Sequence, residues 1–487
     1  MTPALTFPAV ELGALLPALV VALTAGVVLL LDLLPPRESK DHLGAVALAG
    51  VVAALAVTVW LWWRGVETRG FRDMVVLDAF ALFFAVVVSY AAGLALLLSI
   101  DYIRRQTRQA GEYYALVLFA ATGMMLLASA TDLIVVFLAL ELMSLSLYVL
   151  AGYFKTRLTS SEASMKYFIL GAFASGFLLY GIALLYGATG STSLDRIAVA
   201  VAAADRSPLV LIGLGLIVVG FGFKISSVPF HMWVPDVYEG APTAVTALIA
   251  TGSKAGAFAA LIRVLAVGLG GLQADWSALF WALAVLTMTL GNVVALVQGN
   301  LKRMLAYSSI AHVGYMLVGL VAGGTAGAGA VLFYLLAYTF TTAGAFGVIA
   351  LSQRMGEESV AVGDYAGLAR RHPVVAAVLA LCLLSLIGIP PLAGFMAKVY
   401  LFASAVRAGF VWLAVIAVLN SAVAAYYYLR VIVYMYMRDV EGEGADYAPS
   451  LAGGMALAIA VAGIVLLGVL PAPFADLAQA AVAPLLR

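Results

Sequence analysis

Four lysines stand inside stretches that otherwise read as lipid-soluble helices: Lys166, Lys224, Lys254 and Lys398. The run LVLIGLGLIVVGFGF leads into Lys224, and APTAVTALIATGS into Lys254. An ammonium group at membrane depth costs about 2.5–3.5 kcal/mol even on lenient insertion scales. Solubility gives no reason to place one there, so the chemistry implied is movement of charge, above all of protons, through a membrane. Glu141 and His312 share this setting. At about 1.5 Å per helical residue, Glu141, Lys254 and His312 lie roughly 15–18 Å along their apolar runs. That is halfway across a hydrocarbon core of about 30 Å. A low-dielectric interior disfavours the charged form of acid and base alike, so groups held there can exchange protons.

Each residue also has a plainer reading. Lys166 lies near the end of its run and can snorkel to the interface. His312 can be a satisfied polar residue between helices. Lys224, Lys254, Lys398 and Glu141 can be static ion pairs that fix packing, although one carboxylate does not neutralise three lysines. Ser144, Ser146, Thr246, Thr251, Ser308, Ser309 and Thr341 are placed to line a water path, but hydroxyls also bond their own helix backbone. Arg263 and Arg430, towards helix ends, are expected to snorkel. Aromatic runs such as WLWW (60–63) and AYYYL (425–429) fit interfacial belts.

Composition sets the frame for these residues. Of 487 residues, 64% are hydrophobic and 10% charged. Soluble domains carry about 25% charged residues, so this is an integral membrane protein. The net charge of +1 gives no pull towards nucleic acid. Cys382 is the only cysteine, which excludes disulfides, iron–sulfur clusters and thiolate zinc sites within the chain. Histidines are too few at mid-depth to pair about a membrane haem. The glycines of GLGLIVVGFG (213–222) have no preceding strand and are not a dinucleotide loop. Gly319 and Gly323 form a lone GxxxG, read as close helix packing.

Fourteen runs are long enough to span, near 11–34, 43–63, 76–100, 113–129, 131–154, 163–188, 208–228, 242–268, 276–299, 302–322, 327–352, 374–405, 411–437 and 451–471. No basic residue precedes Arg37, so 11–34 reads as a retained span and not a signal peptide. The tail 472–487 is short and at best amphipathic. Counting loop charges, thirteen lysines and arginines fall on one side, Arg37, Lys40, Lys155, Lys302 and Arg370 among them. Seven fall on the other: Arg64, Arg69, Arg72, Arg196, Arg206, Arg407 and Arg487. The positive-inside rule makes the first side cytoplasmic and places both termini in the periplasm, with Arg64, Arg69 and Arg72 running against it.

Two spans break helical rules. Ser226, Ser227, Pro229 and Pro235 interrupt 208–240, and Gly388, Pro390, Pro391 and Gly394 interrupt 374–405. Paired broken helices in corresponding halves point to inverted repeats with a site between them. KYFILGAFASGFLLYG (166–181) also aligns loosely with LFYLLAYTFTTAGAFG (332–347).

These segments resemble a known family. ELMSLSLYVLAGY (141–153), EASMKYFILGAFASGFLLYG (162–181), GFKISSVPFHMWVPDVYEGAPTAVTALIATGSKAGAF (222–258), NLKRMLAYSSIAHVGYML (300–317) and IGIPPLAGFMAK (387–398) look like signatures of the antiporter-like membrane subunits of respiratory NADH–quinone oxidoreductase, complex I. The similarity is greatest to the N-subunit branch. The M branch carries glutamate where Lys398 stands, and the chain leaves no room for the lateral helix of the L branch. The resemblance implies an all-α fold of about fourteen transmembrane helices, in which helices 4–8 and 9–13 are inverted five-helix repeats and helices 7 and 12 are broken. The corresponding segments are a three-helix start (1–112), a first repeat (113–275), a second repeat (276–437) and a C-terminal helix with its tail (438–487). It further implies a Glu141–Lys224 pair, a central Lys254 and a terminal Lys398 as proton carriers, with Lys166 and His312 as secondary candidates. Protons would pass from the cytoplasm near Lys224, through Lys254, and out by Lys398. No cofactor is expected in this chain. NADH, FMN, Fe–S clusters and quinone would sit in other subunits, and the partners would be neighbouring antiporter-like subunits and the bilayer. The alternatives are a subunit of a multisubunit cation/proton antiporter, or a passive scaffold.

Overall fold

The computed structural model describes residues 11–34, 40–106, 110–203, 207–354, 357–439, 445–448 and 450–486. Arg37, Arg206 and Arg487, used in the charge count, lie outside these. Among the described residues thirteen helices are long and apolar enough to cross a membrane, from Leu12–Asp32 to Leu451–Val469. The twelfth crossing is made by two half-helices, Pro373–Ile387 and Ala393–Arg407. Lipid offers no partner to a free peptide group, so helices that satisfy their own backbone are the economical solution for apolar runs of this length. The sixth helix, Leu158–Thr189, extends the expected run at both ends. The tail also carries structure, a helix at Pro471–Val482.

Spans eight (Thr243–Gly268), ten (Leu301–Ala322) and eleven (Gly324–Leu351) are buried along nearly their whole length. Spans one, two, six and thirteen face outward over most of theirs. The polar side chains of the central spans are therefore shielded from lipid by other helices, as intramembrane polar groups require.

Two halves of the chain repeat the same joints. A Cβ on Gly123 would stand 2.6 Å from Met143 N and 2.8 Å from Ala139 O, so spans four and five touch backbone to backbone. Gly291 makes the same approach to Ala311 N (2.6 Å) and Tyr307 O (2.9 Å), joining spans nine and ten. Each residue of the second set lies 168 positions after its counterpart in the first. The same spacing governs the helix starts. Asp132 caps span five by accepting from Ile134 N, and Asn300 caps span ten by accepting from Lys302 N and Arg303 N. Leu133 N donates to Thr192 O and Leu194 N to Thr131 O, while Leu301 N donates to Val360 O and Val362 N to Gly299 O. These braces tie each helix start to a distant loop. Spans five and ten are an odd number of crossings apart, so the two braces lie on opposite membrane faces.

The broken spans also correspond. Span seven (Pro208–Ile225) ends at Ser226, φ 74°, and the first half of span twelve ends at Gly388, φ 93°. Ser227 N then bonds Gly222 O as Ile389 N bonds Leu384 O. A short helix, Val234–Gly240, completes the first break. Span eight has its own irregularity, a wide π turn at Ile249–Ser253 immediately before Lys254. Such turns inside α-helices often mark functional positions.

Arg263 does not snorkel. Its guanidinium is buried, donates to both carboxylate oxygens of Asp78 at 2.9 Å and to Ala128 O at 3.0 Å, and lies over the Phe80 ring. It pins span eight to the start of span three. Arg430 likewise turns inward, onto the carbonyls of Leu296 and Gln298 at the end of span nine. Breaking a buried pair by removing one partner costs about 3–5 kcal/mol, whereas apolar replacement of both is often neutral. We expect Asp78→Ala and Arg263→Ala each to lower the melting temperature of the purified protein markedly, and the double variant Asp78→Leu/Arg263→Met to recover most of the loss.

Candidate proton-transfer site

Lys224, in the last turn of its half-helix, is 2% exposed. Its ammonium donates to Ser144 Oγ (2.8 Å) and Tyr167 Oη (3.2 Å) and lies 5.1–5.5 Å from the ring centres of Tyr167 and Tyr148. Trp233, from the break, stacks on Tyr167 with centroids 4.3 Å apart and anchors its indole on Phe223 O. The unwound segment thus forms the lid of the lysine's aromatic box. Helix C-termini favour cations, which suits the position of Lys224.

Glu141 is not ion-paired with Lys224. Its carboxylate is half-buried, lies one turn before Ser144 on span five, and accepts from Ser175 Oγ. In place of the expected direct pair, Ser144 meets the lysine while Glu141 is held by a different serine, Ser175. Lys166 is also displaced from the buried line. Its side chain is 41% exposed and bridges Glu162 and Asp236, each at 2.6 Å. Asp236 in turn meets Arg303, so Lys166 belongs to a surface ion network.

Lys254 lies on the deeply buried eighth span and donates to both Ser309 O (3.2 Å) and Ser309 Oγ. The same hydroxyl receives Tyr338 Oη at 2.9 Å and touches Tyr238 Oη at 3.2 Å. One turn further along span ten, His312 is gripped through both ring nitrogens: Nδ1 with Tyr334 Oη (2.6 Å) and Nε2 with Tyr428 Oη (3.1 Å). Tyr428 also bonds Ser308. Of the three tyrosines in AYYYL, Tyr427 and Tyr428 are fully buried and Tyr426 alone is exposed, so most of the run packs inward and does not form a belt. The exposed Trp60 and Trp63 do fit one.

Lys398 reaches back from the second half of span twelve to the end of the first. Its ammonium donates to Leu386 O (3.0 Å), Ile387 O (2.8 Å) and Ser421 Oγ (2.7 Å), with the Tyr315 ring centre 5.1 Å away. Gly388 permits this approach. Its φ of 93° disfavours a side chain, and a Cβ there would sit 3.1 Å from Lys398 Cδ. His312 and Tyr315 pack edge to face between Lys254 and Lys398, and the Tyr315 hydroxyl accepts from Asn292 Nδ2 at 2.9 Å.

Residues 130–424 match the family described as NADH:quinone oxidoreductase/Mrp antiporter, transmembrane. NADH-quinone oxidoreductase subunit N of Trichlorobacter lovleyi is 49% identical over 480 residues, which span 98% of each chain. The chain belongs to the subunit N family. A chain of respiratory complex I from Thermus thermophilus has the same fold, with a TM-score of 0.81 at 37% identity over 95% of this chain and 99% of that one. A chain of the Mrp complex from Dietzia sp. gives a TM-score of 0.85 at 25% identity, covering 97% of each.

Sequence reasoning located the lysines and His312 but missed the tyrosines that hold them. Tyr167, Tyr315, Tyr334, Tyr338 and Tyr428 lie in apolar runs where an aromatic residue reads as packing. Their spacing from a lysine or histidine on another helix has no local signal. Of the hydroxyls, Ser144, Ser308 and Ser309 join the network, whereas Ser146 and Thr251 bond their own helix. Ser309 is the shared joint, so Ser309→Ala should destabilise the protein by about 1–3 kcal/mol by leaving buried donors unpaired. Ser309→Thr should retain most of the stability in the same thermal melts.

Proposed function

We propose that this chain is a proton-translocating membrane subunit of NADH–quinone oxidoreductase, in which Lys224, Lys254 and Lys398 are the proton-carrying groups and Glu141 tunes the first. The observation that carries the reading is the way the three ammonium groups are held. Each is buried, and each is met by hydroxyls or carbonyls and not by a carboxylate. A full ion pair would lock the charged form. Hydroxyl and carbonyl partners hold the ammonium while leaving its proton transferable. Lys224 loses a proton towards Lys254 by way of Tyr167, whose hydroxyl faces Ser253 beside Lys254. From Lys254 the line continues through Ser309, Tyr338 and His312 to Tyr315 and Lys398. Glu141, one turn from Ser144, stabilises the charge on Lys224. At about 4 Å and an effective dielectric near 20, a direct approach of the two would be worth on the order of 4 kcal/mol.

Residues 113–275 and 276–437 are read as the two inverted repeats, supported by the constant 168-position spacing of the glycine contacts, helix caps and braces. In this reading NADH, FMN, Fe–S clusters and quinone are handled by other subunits. Neighbouring antiporter-like subunits cover the outward faces of spans five and six, where Leu138, Val149 and Phe173 are exposed beside Glu141. The protein is a multi-pass protein of the bacterial inner membrane, with both termini in the periplasm. A cation/proton antiporter subunit is the second reading, favoured by the likeness to the Mrp complex. Co-purification of iron–sulfur subunits supports the first reading, and a complex without redox centres supports the second.

Lys254→Ala in the assembled complex should reduce proton pumping per electron by about a hundredfold or more, the scale of a lost proton-transfer group. Full pumping would instead make the chain a scaffold. Glu141→Gln should impair pumping and Glu141→Asp should keep part of it. Orientation is tested separately by impermeant thiol labelling of Arg370→Cys and Glu67→Cys, both at exposed positions. Labelling of the first only after membrane disruption, and of the second in intact cells, is the expected pattern.

A further inference from the structure

The brace at the start of span ten holds a charged group that the proton line above does not use. Glu358 comes from the hairpin that pairs Gln353 with Glu358, and its side chain is 12% exposed. Its Oε2 accepts from Thr243 Oγ1 (2.8 Å), the first residue of span eight, and from Lys302 Nζ (3.3 Å). Lys302 is 1% exposed and also donates to Ala241 O at 2.9 Å. Three neighbouring buried polar atoms have no protein partner: Glu358 Oε1, Ser359 Oγ and Tyr102 Oη. An unsatisfied buried polar group costs about 1–3 kcal/mol, so such a cluster is a place that water occupies. Burial would push the Glu358 carboxyl up, but Lys302 and the Thr243 hydroxyl hold it below the ordinary carboxylate value. Among the described residues, Tyr102 and Tyr365 are further titratable groups close to it.

The matching brace keeps a serine and has a carboxylate of its own, the cap Asp132, which accepts from Thr192 Oγ1 at 2.7 Å, but it has no counterpart of the Glu358–Lys302 pair. Counting back 168 positions, Gly190 stands for Glu358, Ser191 for Ser359 and Ile134 for Lys302. Since the two braces lie on opposite membrane faces, a buried carboxylate–lysine pair stands at one of them, where the other has the lone cap Asp132. From the pair polar side chains lead inward, with gaps between Thr243, Thr246 and the Tyr238 hydroxyl that bridging water would span. Thr243 and Thr246 share one face of span eight, Thr246 Oγ1 bonds Tyr238 O (3.2 Å), Tyr238 Oη meets Ser309 Oγ, and Ser309 holds Lys254. The distance from Thr243 to Lys254 along the helix is about 16 Å, half the bilayer core.

We propose that Glu358 collects protons for Lys254 from the membrane face on which this hairpin lies. The inference rests on the role given to Lys254 above. A hydronium ion protonates the Glu358 carboxylate and leaves as water. The proton then passes from Glu358 past Thr243 through bridging water to the Tyr238 and Ser309 hydroxyls and on to the neutral amine of Lys254, which becomes an ammonium as the carboxylate is restored. Lys302 keeps Glu358 anionic between transfers and orients it towards Thr243.

The test uses the intact complex in inverted membrane vesicles, with NADH oxidation and proton pumping recorded together. Glu358→Gln should lower pumping by about a hundredfold at neutral pH, the low end for a lost proton-transfer group. Its remaining rate should climb as the hairpin-side solution is acidified, and small weak acids such as formate should restore it. Glu358→Asp should retain most of the parent rate. A Glu358→Gln complex that pumps like the parent overturns the proposal. So does a loss that neither acid, formate nor Asp relieves, because that pattern is structural. Lys254→Ala, measured alongside, separates the two readings: if it also pumps normally, the role of Lys254 fails first, and if it alone is impaired, only the role of Glu358 fails.

Discussion

The structure turns on the cost of keeping three ammonium groups at bilayer depth without giving any of them a carboxylate. Desolvating one such ion costs several kcal/mol even after relaxation. Lys224, Lys254 and Lys398 recover this from hydroxyls, backbone carbonyls and aromatic faces. Each partner is worth little alone, and each must be brought from a different helix. The deep burial of spans eight, ten and eleven follows from that need, since only helices enclosed by others can present Ser309, Tyr338 and His312 to a lysine out of reach of lipid.

The broken helices serve the same requirement by one physical device. A helix C-terminus exposes carbonyls and a partial negative charge, and a break inside the membrane creates such an end at mid-depth. Lys224 uses the end of its own half-helix, two residues before Ser226. Lys398 starts from the following half and folds back onto the carbonyls of Leu386 and Ile387. The two lysines therefore occupy equivalent ends while standing at non-equivalent sequence positions. The left-handed caps Ser226 and Gly388 correspond, but the lysines do not. This explains why aligning lysines by number would hide the repeat that glycine contacts and braces reveal.

Much of this was legible in the sequence. An ammonium in an apolar run is conspicuous, and proline and glycine inside a span announce a break, so both lysine-bearing breaks and the helix order could be read directly. What escaped was everything that depends on two helices meeting. Arg263 looked like a snorkelling residue because Asp78 is far away in the chain. Glu141 was expected to face Lys224, yet the helical phase of span five turns Ser144 to the lysine. AYYYL looked interfacial because aromatic residues favour both interfaces and buried cavities, and only packing separates the two. The 168-residue repeat was faint for the same reason. It is carried by backbone contacts at Gly123 and Gly291 and by caps at Asp132 and Asn300, while the side chains between them have diverged.

That divergence has mechanical content. Two halves that share caps, braces and close-packed glycines form a symmetric frame, and a symmetric frame by itself gives no direction to proton movement. Direction must come from residues that break the symmetry. In the first half Glu141 accompanies the lysine box, and 168 positions later the same place is held by Ser309, a hydroxyl that serves Lys254. Ser144, which meets Lys224, corresponds in the same way to His312. The carboxylate is thus confined to one end of the line and the imidazole to the other, with the backbone frame unchanged beneath them. In the proposed path, polarity would come from these substitutions, while the frame supplies the depth and enclosure that let single charges act across it.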